Sequence, residues 1–460
     1  MAIETKKLGF GLVSALLLLA AAGACGDDEA PPTKKHRDAG EDDRDAAPMD
    51  ASEPMRDAAQ RPDTGSPEEG LNGSCAIDSN KIFSVAMRNE PFLATPLAVD
   101  PAASLFALPF VGRAENAGCL DVVNLATMQG SAQAGAPSMK IASDHCALVK
   151  DAVAAAVSGQ WMVAMVDNRD PPYDIWLQRY DPAQGEQGAP VRVSEASPVE
   201  TALAMTPLID GEHALVAWGD EALDGTNSLY TRLVDRNGAL QGEPVRLEQS
   251  KLFFRSLAMA SLGSGGAGLA YWRYNADFST SEIVFRALDK DGKPTLDEWV
   301  LAAGVGASAS VDVATDSSLG GIVFSRSEGT EGRQIWFQRI DDDGRAAALL
   351  SGPGRSAPIR IIGAPTRGVD VSVAKLLSGY VLAYRSLSTT KQPKPAIRLA
   401  FLDRNGQFVG GSDVSYTSAA GGRTAVEAAY DGRVVIGWSE VNADSGKSEL
   451  KLVRLPCIGG

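Results

Sequence analysis

Apolar residues in this chain gather in short runs separated by polar turns that carry Asp and Gly. One unit recurs. An apolar residue opens a strand, and six positions later an Asp begins a Gly-containing turn. The clear copies are Ile175 to Asp181, Leu229 to Asp235, Ile283 to Asp289, Ile335 to Asp341 and Ile397 to Asp403. Weaker copies stand at Leu120 to Ala126 and Leu450 to Pro456. From Ala126 to Pro456 the turn positions lie 55, 54, 54, 52, 62 and 53 residues apart. A period near fifty with several short strands per unit predicts an all-β chain. The expected architecture is a seven-bladed β-propeller of four-stranded antiparallel blades.

The third unit parses into strands a to d at Leu203 to Pro207, Ala214 to Trp218, Leu229 to Asp235 and Pro244 to Leu247. The fourth repeats it at Leu257 to Ala260, Leu269 to Trp272, Ile283 to Asp289 and Trp299 to Ala302. Several of these runs are continuously apolar, as expected of sheets covered on both faces by neighbouring blades. Trp218, Trp272, Tyr384 and Trp438 fall at what read as equivalent ends of strand b, where they are expected to pack between blades. The last unit stops at Cys457, after strand c. Its missing outer strand is assigned to Lys81-Ile82-Phe83-Ser84-Val85-Ala86, which would join the two ends of the ring and remove an exposed sheet edge.

Composition adds a cellular address. Net charge is −15 over 460 residues, and residues 26–72 supply −8 of it from fourteen acids against six bases. Residues 73–460 carry another −8, the first 25 contributing +1. An acidic domain without a basic stripe argues against nucleic acid as a partner. Lys6 and Lys7 precede an apolar run from Leu8 to Ala22, and Ala22-Gly23-Ala24 leads to Cys25. This is an export signal, with a run shorter than the about 20 residues of a membrane span. Small residues directly before a Cys resemble the lipobox of bacterial lipoproteins. The resemblance implies cleavage after residue 24, lipidation of Cys25 and a membrane partner reached through the lipid anchor. Ala22 departs from the Leu preferred there, and Gly26 after the Cys favours the outer membrane of a Gram-negative envelope. Residues 25–72, rich in Asp, Ala and Pro, are expected to be a disordered tether, and 73–460 to be the propeller.

Four cysteines remain, Cys75, Cys119, Cys146 and Cys457, which allow three pairings. An exported location permits disulfides. Cys75 precedes the closing strand and Cys457 ends its partner, while Cys119 begins strand c of the first blade and Cys146 follows its strand d. The expected bridges are therefore Cys75–Cys457 and Cys119–Cys146.

Candidate chemistry is sparse. The turns Asp235 to Gly238, Asp289 to Gly292, Asp341 to Gly344 and Asp403 to Gly406 look like fragments of calcium loops but lack a regularly spaced later acid. They are read as hairpin turns in which Asp caps and Gly takes positive φ. Asp342 and Asp343 make the fifth blade the place to look for a metal, though none is expected. The three histidines, His36, His145 and His213, read as tether, strand-end and turn residues, and no cofactor motif appears. The b–c connections are longer and polar and share one rim, where propellers bind partners. Asp170, Asp220, Arg273, Arg326, Arg385 and Glu440 are the candidate contacts for an unknown protein or glycan.

Val166-Asp-Asn-Arg169 followed by Asp174-Ile-Trp-Leu-Gln-Arg-Tyr-Asp181 resembles a repeat of secreted, mostly uncharacterised bacterial propellers. The resemblance covers most of 94–457 and speaks to fold, not to chemistry. The expected protein is a monomeric, lipid-anchored propeller acting as a non-enzymatic binding or scaffolding module. The alternatives are a carbohydrate-active hydrolase or lyase and an envelope-protein assembly factor.

Overall fold

In the computed structural model the apolar runs are β-strands and the Asp-Gly clusters between them are turns. The structure describes residues 82–88, 97–113, 121–130, 137–169, 173–194, 200–306, 309–328, 332–347, 357–362, 367–387, 395–416, 424–442 and 444–455. Strand β1 (Phe83–Arg88) comes first among the described residues. Blade 1 is β2 (Ala98–Asp100), β3 (Leu105–Arg113), β4 (Asp121–Gln129) and β5 (Ser138–Ala147). Blade 2 is β6 (Val149–Val157), β7 (Gln160–Asp167), β8 (Asp174–Asp181) and β9 (Gly185–Arg192). Blade 3 is β10 (Glu200–Pro207), β11 (His213–Glu221), β12 (Asn227–Asp235) and β13 (Leu240–Ser250). Blade 4 is β14 (Phe253–Ser261), β15 (Ala267–Tyr274), β16 (Ser281–Leu288) and β17 (Trp299–Ala303). Blade 5 is β18 (Val311–Thr315), β19 (Leu319–Glu328), β20 (Gly332–Asp341) and β21 (Ile359–Ile362). Blade 6 is β22 (Arg367–Leu376), β23 (Gly379–Leu387), β24 (Ala396–Asp403) and β25 (Phe408–Tyr416). Blade 7 holds β26 (Thr424–Ala428), β27 (Val434–Val441) and β28 (Ser448–Arg454).

Each blade is a four-stranded antiparallel sheet in chain order, except the seventh. There β1 pairs with β28, Phe83 facing Leu452 and Arg88 facing Ser448, and supplies the outer strand. The chain's early strand thus completes its last blade. First strands touch in sequence, β2 to β6, β10, β14, β18, β22 and β26, and β26 meets β2 again. The propeller is closed.

The core follows from this arrangement. Each of the seven apolar clusters lies between two adjacent blades. Because strand side chains alternate, each blade sends one set forward and the other back. In blade 3, Leu215 and Ala217 meet blade 4, and Val216 and Trp218 meet blade 2. Both faces are therefore apolar, which is why these strands read as continuous hydrophobic runs. Fully burying one such side chain contributes roughly 1.5–3 kcal/mol.

The turn expectation holds in atomic detail. Asp235, Asp289, Asp341 and Asp403 each accept two backbone N–H bonds through Oδ1, at 2.7 to 3.1 Å, from residues two and four positions later. Gly238, Gly292, Gly344 and Gly406 take φ of 77 to 80°. Among the described residues no group of three or more His, Cys, Asp or Glu is placed to hold a metal.

Three positional expectations need correction. Tyr271, not Trp272, is the equivalent of Trp218, Phe324, Tyr384 and Trp438: Tyr271 faces back to blade 3, whereas Trp272 faces forward to blade 5. Two adjacent aromatics at the strand end hid a shift of one residue, which reverses the face. Ala126 begins no turn, since β4 runs on to Gln129 and Ala126 pairs with Leu108. Cys146 lies within β5, not after it, and its neighbour Ala147 pairs with Asp121. The side chain of Cys146, together with Cys25, Cys75, Cys119, Cys457 and the tether, lies outside the described residues.

Candidate functional site

Antiparallel order sorts the connections. The a–b and c–d turns share one face of the ring, and the b–c and d–a connections share the other. The second face and the middle of the ring hold the polar groups that could serve function.

Each first strand pairs on one side with its second strand and leaves the other edge towards the ring's middle. Unpaired edge N–H groups must find acceptors. Neighbouring first strands supply them. Ser256 Oγ accepts from Val311 N–H at 3.1 Å, Ser310 Oγ from Val371 N–H at 3.2 Å, and Ser372 Oγ from Val426 N–H at 3.2 Å. Asp312 Oδ2 accepts from Val373 N–H at 2.9 Å and from the Ser372 hydroxyl at 2.6 Å. Thr315 and Thr424 donate to the carbonyls of Ser261 and Asp370. A polar ladder therefore runs between blades 4 and 7.

Glu427, on β26, belongs to this inner layer. Burial pushes its carboxyl well above the usual carboxylate range, and the nearby Asp312 charge pushes the same way. Its residue keeps some accessible surface. Asp312, Ser372 and Glu427 were missed in the sequence, although a signal exists: each interrupts an apolar first strand (Val311-Asp312-Val313, Val371-Ser372-Val373, Val426-Glu427-Ala428).

The candidate contacts on the long-loop rim lie elsewhere than expected. Asp220, Arg273, Arg326, Arg385 and Glu440 are not loop residues. They end the second strands, paired across the ladder with Ser228, Glu282, Gln334, Ile397 and Glu449. Asp170 lies outside the described residues. The strands extend into the polar stretches because facing charges can pair across the ladder.

Most of these groups have strong partners. Arg273 meets Glu298 at 2.7 Å, Glu282 at 2.8 Å and, from blade 3, Glu248 at 3.2 Å. Arg286 joins Glu298 and Glu248, and donates to the Tyr271 hydroxyl at 3.0 Å, which donates on to Glu248 at 3.0 Å. Burial alone would lower the Arg273 pKa, but hydrogen bonds to Glu298 and Glu282 and the Glu248 charge raise it overall. Arg385 pairs with Asp370 at 2.5 Å. Glu440 meets Lys451 at 2.5 Å and accepts from Trp438 Nε1 at 3.0 Å, and Glu449 shares that lysine at 3.4 Å. Arg326 lies over the Trp336 ring, 5.6 Å from its centroid, as Arg169 lies over Trp176 at 4.5 Å. In blade 2 the opposed, buried Asp167 and Asp174 are held by Arg169 and Arg192. The rim is thus a set of charge clusters, each built within a blade or across one seam, which hold the strand ends together.

No family model matches the chain, and no curated protein matches it. Solved structures do. A microbial sialidase from the Hadza aligns with a TM-score of 0.40 and 11% identity, over 74% of this chain and 74% of its own. A puromycin-hydrolysing peptidase from Mycobacterium tuberculosis gives 0.42 and 14%, over 83% of this chain and 56% of its own. An acylaminoacyl peptidase from Pyrococcus horikoshii gives 0.43 and 10%, over 79% and 51%. The chain spans about half the length of the two peptidases. At such identities the likeness concerns fold alone.

Proposed function

We propose that this chain is an exported, lipid-anchored β-propeller that acts as a non-enzymatic binding or scaffolding module at the cell envelope. Cys25 carries the anchor, residues 25–72 form the tether, and the outer membrane holds the protein as a monomer. The partner is a protein or glycan, not nucleic acid, and it meets the long-loop rim. One observation carries the reading: the rim's charged side chains are set on strand ends of a closed ring and braced by ion pairs, giving a rigid polar surface. Preorganisation of that kind lowers the cost of ordering on binding.

Envelope extract passed over the immobilised full chain should yield a retained protein or glycan. Retention should weaken when Arg326 is changed to Glu. Recovery of nothing above a blank matrix contradicts the reading. Cys25→Ser should abolish incorporation of radiolabelled palmitate and release the protein from the membrane fraction. Unchanged labelling would remove the anchor.

A second reading, a hydrolase working at the ring's middle, draws support from Asp312 and Glu427. One carboxyl accepts several hydrogen bonds, and the other is held towards its protonated form. A carboxyl held towards its protonated form beside a second carboxyl matches the acid and base pair of glycoside hydrolysis. Release of reducing sugar from envelope polysaccharide, lost in Glu427→Gln, would select this reading over the first.

A further inference from the structure

Blade 4 carries an aromatic cluster at the long-loop face that neither the ion pairs nor the inner polar ladder explains. Trp272 and Tyr274 end β15, Phe253 opens β14 opposite Tyr274, and Phe278 stands in the loop before β16. Ring centroids are 4.3 Å apart for Trp272–Tyr274, 4.9 Å for Tyr274–Phe278 and 6.2 Å for Trp272–Phe278, with planes within 23° of parallel. Three rings in one column would put the outer two about 7 Å or more apart, at roughly 3.5 Å per contact. Trp272 and Phe278 therefore sit side by side against Tyr274. Phe253 leans on Tyr274 at 5.4 Å.

Exposure grades along the cluster. Trp272 is buried at 7%, Tyr274 and Phe253 are half-buried, and Phe278 is 39% exposed. Phe278 also has φ of 58°, a left-handed conformation that is strained for a bulky side chain. The loop holds it there. Phe278 N–H donates to the Asn275 carbonyl at 3.0 Å, Asn275 Nδ2 to Ser279 Oγ at 2.7 Å, and Ser279 N–H to Asp277 Oδ1 at 3.0 Å. A strained backbone that keeps a phenyl ring half in water is costly, and a ligand that stacks on the ring would use it.

The surroundings define that ligand. The loop that carries the ring also carries an exposed carboxylate (Asp277), two hydroxyls (Ser279, Thr280) and an amide (Asn275), and no basic residue. A flat apolar face bordered by short hydrogen-bonding groups matches a pyranose ring, whose C–H face is apolar and whose edge bears hydroxyls. One negative charge, on a domain that is itself acidic, opposes anionic sugars. We infer that Phe278, backed by Tyr274 and flanked by Trp272, is a stacking platform for a neutral pyranose oligosaccharide. The inference rests on the binding-module reading and names its ligand class.

The full chain in detergent is titrated with β-1,4-linked hexamers of glucose and of N-acetylglucosamine, with a galacturonate hexamer as the anionic comparison and a proline-rich decapeptide as the peptide comparison. Calorimetry and tryptophan fluorescence, to which Trp272 contributes, follow binding. At least one neutral hexamer should bind, Phe278→Ala should weaken it tenfold or more, and Phe278→Tyr should retain it. Ile209→Ala, exposed in the β10–β11 turn on the opposite face of the ring, should leave it unchanged. Binding unaffected by Phe278→Ala, preference for the galacturonate or the decapeptide, or no neutral binding overturns the assignment. If the hexamers fail while the full chain still retains an envelope partner, only the ligand class falls. If both fail, the binding-module reading falls with it.

Discussion

Glu427 faces two penalties for ionising, loss of solvation and the charge of Asp312, and these favour its proton. The sign follows for stability. A carboxyl whose folded pKa is raised stabilises the fold fully below its unfolded value, about 4.3, and that contribution is lost as pH rises through the folded value. Urea midpoints of the native chain should therefore fall from pH 5 to pH 8. Glu427→Gln, which keeps a neutral side chain of the same shape, should fall less and exceed the native chain at pH 8. Parallel curves for the two proteins would show that Glu427 ionises freely. Arg273 makes the opposite case. Arg273→Met leaves Glu248 and Glu298 with Arg286 and takes from Glu282 its ion-pair partner, and breaking a half-buried network of this kind should cost about 1–3 kcal/mol in urea unfolding. A loss below 0.5 kcal/mol would mark the cluster as a surface feature and return Arg273 to the set of free rim contacts.

At the scale of elements, the Asp-Gly turns were legible because their chemistry is local: a side-chain cap and a positive φ need no distant partner. Two glycines separate the backbone requirement from packing. Gly185 has φ of 87° and open space where a Cβ would stand, whereas a Cβ at Gly406, φ 79°, would lie 2.5 Å from the Phe337 ring of blade 5. Gly185→Ala should cost about 1–2 kcal/mol from φ alone. Gly406→Ala should lose about 1–3 kcal/mol more through overpacking, read as the difference between two chemical denaturation curves. Equal losses would mean that the turn does not press on blade 5. The strand ends were less legible. Arg273 facing Glu282, and Glu440 facing Glu449 with Lys451 between, look like loop in a single sequence because polarity marks both a solvated loop and a charge-paired ladder. Only the partner strand distinguishes them. The inner carboxylates were hidden for the same reason, since Asp312 acquires meaning only beside Val373 of the next blade.

For the whole molecule the decisive element is β1. It lies far from β28 in sequence yet pairs with it from Phe83–Leu452 to Arg88–Ser448. Ile82 packs on the cluster between blades 6 and 7, and Phe83, Val85 and Ala86 on the one between blades 7 and 1. The sequence announced this strand through an unpaired apolar stretch at one end and a blade one strand short at the other. What it left unread was the rim's chemistry, because a ring brings together residues from different repeats that share no local signal. Rim, inner ladder and aromatic platform all presuppose that the ring closes. Amide hydrogen exchange of residues 448–454 tests closure most directly, in the full chain and in one lacking residues 82–88. The full chain should protect these amides about as well as those of β12, and the deletion should strip that protection while lowering stability by roughly 3–5 kcal/mol from lost apolar burial. Equal protection in both chains would contradict a ring closed by its own N-terminal strand.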